Sequence, residues 1–173
     1  MQLLQTILIA VGAIVAVVTL AKDHVRRKRQ ATLDFNIAIS KEIYEIHSQI
    51  EIIFMRRDIE PDDDRYKNNI DIQDKIARLL SLYERTAIGI RYNVFDKNIF
   101  MEITGRHTLR WYKRLKKLIE FYRTEEDANP NAYMEFERLA HRMDKKYNQT
   151  VKRRFCELII TKIKNFNWTK RNS

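Results

Sequence analysis

Acid–base and metal chemistry near neutral pH falls first to histidine, and this chain has four: His24, His47, His107 and His141. Their spacing forms none of the patterns such chemistry uses. A zinc pair on one helix face needs an HExxH-type interval, and none is present. A helical ribonuclease of the kind found in many defence systems needs an arginine followed four to six residues later by histidine. Positions 40–42, 100–102 and 134–136, which precede His47, His107 and His141 at that interval, hold no arginine, and His24 is preceded there by an apolar run. Gly12, Gly89 and Gly105 stand alone, so there is no glycine-rich phosphate loop. Asp62-Asp63-Asp64 places three carboxylates in a row, but consecutive side chains in a loop diverge, and a solvated turn is the better reading than a metal site. The single Cys156 permits no intrachain disulfide and no multi-thiolate zinc site, in keeping with a reducing cytoplasm. No catalytic residue, metal or cofactor is expected, and the function is read as non-enzymatic.

Residues that could bind are easier to find. Arg106, Arg110, Lys113 and Lys117 step by four, three and four, which puts them on one helix face beside Trp111 and Tyr112. Basic side chains with aromatic neighbours can hold nucleic acid or a nucleotide by phosphate contact and stacking. They can also lie on anionic lipid, where each charge contributes roughly 1 kcal/mol. An ordinary solvated face ranks ahead of both, and nucleic acid is not favoured, because Lys145-Lys146 and Lys152-Arg153-Arg154 spread the charge. A second group is polar. Glu84 and Arg91 are two turns apart on one face, around the small residues Ala87 and Gly89. If another helix covers that face, each charge needs a partner, and Arg106 or Arg110 could meet Glu84. Together with Asp96, a cap for the following helix, they are read as a structural polar network ahead of a ligand site.

These groups must be positioned by helices. The chain has three glycines, two prolines and a net charge of +10, and its charges are interleaved with isoleucine, leucine and aromatics. An apolar run from Leu3 to Ala21 contains no charge and is followed by Arg26-Arg27-Lys28-Arg29. Its ~19 residues reach about 28 Å as a helix, close to a hydrocarbon core of ~30 Å. A secretory signal would carry its positive charge ahead of the run, and a buried core helix seldom lacks charge for so long. The run is therefore read as an uncleaved single span, residues 1–21. The basic juxtamembrane segment 22–30 retains residues 31–173 in the cytoplasm and leaves the N-terminus outside. Gly12 and Ala16, with Thr19 a turn beyond, offer a small-residue face for association with a second copy.

The spacing predicts that the spanning helix continues to about Arg57, with Leu33, Ile37, Ile39, Ile43, Ile46, Ile50 and Ile53 on its apolar side, and that the segment around Pro61 ends it. Further helices are expected from about Ile70 to Tyr92, from Asp96 to about Arg123, from about Asn131, and from Val151 to about Phe166. The third carries Ile99, Phe100, Ile103, His107, Trp111 and Leu115 inward. The fold class is all-α: one transmembrane helix continuing into a cytoplasmic bundle of about four to five helices.

The anchor, then Arg-Gln-Ala-Thr-Leu-Asp-Phe at 29–35, Tyr-Glu-Arg-Thr-Ala-Ile-Gly-Ile-Arg at 83–91, Val-Phe-Asp at 94–96, Trp111 and the segment Tyr133 to Leu139, resemble the bacterial membrane proteins of domain-of-unknown-function family DUF4760. The resemblance covers most of the chain and implies no reaction. The architecture is also similar to that of phage abortive-infection membrane proteins. The expected partners are a lipid bilayer, a second copy of the chain and an unidentified protein. The leading expectation is a membrane-tethered interaction or regulatory module. The alternatives are an abortive-infection effector acting by oligomerisation and an anchored nucleic-acid or nucleotide binder.

Overall fold

The computed structural model describes residues 2–125 and 129–150, all of whose regular structure is helical. The helix expected from Val151, with the Lys152-Arg153-Arg154 cluster and Cys156, lies outside these residues. Helix α1, Gln2–Phe54, runs without interruption for 53 residues, about 80 Å at 1.5 Å per residue. It is the one helix among the described residues long and apolar enough to cross a membrane, with a mean hydropathy of 2.5 over its best window and none of that window buried. From Thr32 onward the same helix enters the protein core, burying Thr32, Asn36, Ile46, His47, Ile50 and Phe54. The intervals 32–36, 47–50 and 50–54, of four, three and four, keep these residues on one face, with Ile46 at its edge.

Ile46 and Ile50 are buried as expected, with Ile43 and Ile53 packed against the core, but upstream of them the buried face departs from the apolar positions. Leu33 is exposed, and Ile37, also expected inward, is 72% exposed. The reason is what packs there: not a helix but a turn, whose backbone needs an acceptor. The Thr32 hydroxyl accepts from the Asp96 N–H at 2.6 Å and donates to the Lys28 carbonyl at 2.8 Å, while Asn36 Nδ2 donates to the Thr32 carbonyl at 2.8 Å. An isoleucine at position 32 would leave that N–H without its acceptor.

α1 ends at Phe54, three residues before the expected end at about Arg57. Met55 and Arg56 adopt the left-handed conformation (φ 45° and 64°). Glu51 caps the exit by accepting from the Arg56 N–H at 3.1 Å. A short helix α2, Asp64–Lys67, follows, with Asp63 as its N-cap accepting from the Arg65 N–H, so the acidic run serves a helix start. Helix α3, Ile70–Arg91, returns antiparallel to α1, with Tyr83 meeting His47 and Asn93 meeting Lys28. The single helix expected from Asp96 to about Arg123 is divided into α4, Lys97–Ile103, and α5, Gly105–Thr124. At the break the Tyr147 hydroxyl donates to the Met101 carbonyl at 2.9 Å and occupies the space a Cβ on residue 105 would fill. Glycine there admits the hydroxyl. The break turns Ile103 outward and Met101 inward, reversing the expectation for Ile103. The last described helix, α6, covers 134–150 and follows Tyr133, whose φ is 57°.

α1, α3, α5 and α6 enclose a core in which Ile50, Phe54, Leu79, Leu80, Trp111, Leu115, Leu118 and Phe136 are fully buried. The turn at 92–96 closes one end. Val94 and Phe95 donate to the Gly89 carbonyl at 2.9 and 3.1 Å, folding the Phe95 ring over Gly89 and against Phe35, with ring centroids 4.5 Å apart. A glycine inside a helix costs about 1 kcal/mol against alanine, and here it makes room for that ring. Gly89→Ala would place its Cβ inside the Phe95 ring, which Phe35 prevents from swinging away. The usual gain from alanine in a helix is therefore reversed, and a lower midpoint of thermal unfolding in detergent, corresponding to about 1–3 kcal/mol of overpacking, is expected. An unchanged or higher midpoint would show that Phe95 does not hold this position.

Candidate functional site

Three helices each contribute to one polar cluster inside an apolar bundle. His47 lies on the buried face of α1, Tyr83 on α3, and His107 and Trp111 one turn apart on α5. The Tyr83 hydroxyl is 3.1 Å from His47 Nε2, and His47 Nδ1 is 2.8 Å from His107 Nε2. Trp111 Nε1 donates to the same His107 nitrogen at 3.0 Å. Indole can only donate, so His107 Nε2 accepts, His47 Nδ1–H donates to it, and His47 Nε2 is left to accept from Tyr83. The His47 ring stacks on Trp111 with centroids 4.2 Å apart and planes within 6°.

Both imidazoles are held neutral. Burial, then the neighbouring His107, Arg110 and Arg114, pushes His47 down to about 3. Burial and Arg110 lower His107, against a smaller opposing pull from Glu51. Burial pushes the Tyr83 phenol upward. Such a weak base gives little driving force for proton abstraction at pH 7. What the cluster can do is donate and accept hydrogen bonds across the seam between α1 and the rest of the bundle.

A cavity of about 310 Å³ adjoins it, bounded by Ser40 and Tyr44 of α1, Thr86 of α3, and His107 and Thr108 of α5. The Thr108 hydroxyl is buried and has no hydrogen-bond partner among the described residues. It faces the cavity beside the Tyr83 phenol and can donate to a polar group entering there. A larger, more open groove of about 580 Å³ lies at the other end of the bundle by Tyr66 and Tyr122. It lacks the histidine pair and does not touch α1, so the smaller cavity is the better candidate. Among the described residues no group of histidine, cysteine and carboxylate side chains is arranged to hold a metal ion.

Next to the pair, a buried arginine fastens the end of α1. Arg114 Nη1 donates to Glu51 Oε1 at 2.6 Å and its Nε to the Arg57 carbonyl at 3.0 Å, with the guanidinium 4.5 Å above the Trp111 ring. A planar donor fork over an indole face is a role lysine could not fill.

The residues singled out from sequence fall into four places. Glu84 does not meet Arg106 or Arg110. Its carboxylate accepts from the Glu135 and Phe136 N–H groups at 3.2 and 2.7 Å, capping the start of α6 from across the bundle. Arg91 reaches Glu135 at 2.5 Å, and Arg138 meets the same carboxylate oxygen. Asp96 lies apart from them: it caps α4, accepting from the Asn98 and Ile99 N–H groups, and stands 3.6 Å from Arg29.

In the basic stripe, Lys113 pairs with Asp144 at 2.8 Å and Lys117 with Glu60 at 2.5 Å. Arg106 sits over the Tyr147 ring, and Arg110 approaches His107 Nδ1 at 3.5 Å. Half of the stripe is thus neutralised within the fold. In the juxtamembrane segment, Lys28 contacts Asn93, Arg27 pairs with Asp23 at 3.3 Å, and Arg26 is exposed. Gly12, Ala16 and Thr19 are exposed, nothing lies within 4 Å of where a Gly12 Cβ would stand, and the Thr19 hydroxyl is taken by the Val15 carbonyl.

Sequence reasoning missed the His47–His107 pair, since partners 60 positions apart have no spacing signature. The available signal was that each histidine sits in phase with an otherwise apolar helix stripe.

A group whose folded pKa is depressed contributes stability that is complete above its unfolded value, about 6.5 for histidine, and is lost as the pH falls toward the folded one. For His47 that window runs from about 6.5 down to about 3. The unfolding midpoint in detergent should therefore drop between pH 7.5 and 5, and His47→Phe should flatten that drop. A slope identical in the two proteins would remove His47 as its source.

The family model described as Domain of unknown function (DUF4760) matches residues 6–143, from within the apolar part of α1 into α6. The chain belongs to that family. No curated protein and no solved structure matches it.

Proposed function

We propose that this DUF4760 protein is a membrane-tethered regulatory module that acts by binding, with its bundle in the cytoplasm of a bacterial cell and its N-terminus outside the inner membrane. One observation carries the reading: the helix suited to cross the bilayer is the same helix that supplies His47, Ile50 and Phe54 to the core. Occupation of the cavity beside Ser40, Tyr44 and His107, or a protein contact that repacks the bundle, acts directly on that helix. The basic residues at 26–29 support the orientation, since positive flanks are retained on the cytoplasmic side.

The experiment reports on α1 from its far end. In a Cys156→Ser chain carrying Thr19→Cys, disulfide cross-linking between spans is measured in native membranes, with and without Thr108→Phe to fill the cavity. A severalfold change in cross-linking rate is expected, and equal rates would mean that bundle and span are uncoupled.

A second reading is favoured by the open face at Gly12. Spans that meet there would oligomerise, and a triggered assembly of this kind would perturb the membrane, as an abortive-infection effector does. On that reading, overexpression depolarises cells and arrests growth, and Gly12→Ile abolishes both effects by blocking close helix approach. Overexpression without depolarisation or arrest would eliminate it. An anchored nucleic-acid or nucleotide binder is supported less, because Lys113 and Lys117 are already engaged by carboxylates.

A further inference from the structure

We propose that the turn between α3 and α4 is a second membrane contact, in which Tyr92 and Val94 enter the head-group layer of an anionic bilayer beside the basic segment of α1. The inference rests on the membrane-tethered reading above. α3 runs back along α1, and its last turn is fastened at the level where α1 leaves the apolar run: Lys28 contacts Asn93, Thr32 accepts from the Asp96 N–H, and Phe35 stacks on Phe95. Lys28 follows Ala21 by seven positions, a rise of about 10 Å. Helical side chains lean toward the helix N-terminus, so the Lys28 ammonium and the Asn93 it holds stand nearer the bilayer than that. The polar layer on each side of the hydrocarbon is itself about 5–7 Å thick, which brings the tip of this turn within it.

The composition of the tip suits that layer. Tyr92 is 69% exposed and Val94 54% exposed, although Ile90 just before them is buried. Tyrosine favours the membrane–water boundary, where its ring and its hydroxyl are both accommodated. Segments 22–30 and 91–97 together hold seven basic residues and two carboxylates. Both carboxylates are matched internally, Asp23 by Arg27 and Asp96 by Arg29, which leaves Lys22, Arg26 and Lys97 to face lipid phosphates. The opposite end of the bundle lacks this excess, with five carboxylates against four basic residues in residues 55–67. Such a charge gradient along α1 orients the bundle with its basic end toward anionic lipid.

The test uses the full chain with Cys156→Ser, carrying one nitroxide-labelled cysteine at a time and reconstituted into phosphatidylcholine vesicles that include phosphatidylglycerol. Labels at Val15 (the span), Val94 (the turn) and Ile70 (the far end of α3) are compared by collision with oxygen and with a water-soluble nickel chelate. Val15 is expected to be shielded from nickel, Ile70 to collide freely, and Val94 to be shielded severalfold relative to Ile70. Arg26→Glu with Lys97→Glu should return Val94 to the behaviour of Ile70 while the near-ultraviolet circular dichroism is unchanged. If Val94 matches Ile70 while Val15 stays shielded, the second contact is wrong and the tether stands. Free collision of nickel with Val15 overturns the tether and the contact together. Spin–spin broadening at Val94 that disappears on dilution with lipid would assign the shielding to a second copy of the chain, and would equally overturn the proposal.

Discussion

Backbone hydrogen bonding is the constraint on which this molecule depends. In hydrocarbon every N–H and C=O must be satisfied within the segment, and an α-helix does so whether or not anything packs on it. α1 needs no change of conformation between an environment without water and one with a protein interior, so nothing interrupts it from Gln2 to Phe54. The remaining helices are arranged along its second half, from Lys28 onward. α3 comes back antiparallel, the 92–96 turn fastens to the residues between Lys28 and Phe35, and Arg114 holds the exit at Glu51 and Arg57.

Polar groups, not only apolar ones, fix where those helices sit. Apolar contacts reward burial with little regard to register, whereas a buried carboxylate or N–H accepts only a small set of positions. Thr32 can receive the Asp96 N–H only if α4 begins at that height on α1. Glu84 can meet the first N–H groups of α6 only if that helix starts opposite the fourth turn of α3. The His47–His107 pair performs the same service between α1 and α5, with Tyr83 adding the third element. The bundle is thereby held at three levels along α1.

Much of this was legible in the sequence and some was not, for identifiable reasons. The extent of α3 followed from its periodic apolar positions and from the turn residues after Tyr92, and the structure ends it at Arg91. Asp96 was recognisable as a cap because a cap is a local arrangement. The inward face of α1 was read correctly at Ile46 and Ile50 but misjudged between Thr32 and Ile37, because Leu33 and Ile37 outrank Thr32 and Asn36 on any hydrophobic scale, while the partner waiting at Thr32 was a backbone N–H 64 positions away. The division at Thr104 was missed for a similar reason: it is set by the Tyr147 hydroxyl, delivered from another helix. The candidate site depends almost wholly on such long-range pairs, and so only its residue types, not its assembly, could be read in advance.

The unbroken helix also carries an angular relation. Each residue turns an α-helix by about 100° and advances it by about 1.5 Å, so the direction in which Gly12 and Ala16 face is phase-locked to the direction in which His47, Ile50 and Phe54 face. One residue inserted between Ala21 and Thr32 would leave both ends chemically intact and yet rotate the bundle by more than a quarter turn relative to the apolar run. Seven inserted residues would nearly restore the original bearing and lift the bundle by about 10 Å. For this protein the length of the segment between span and bundle is a compass setting as much as a spacer.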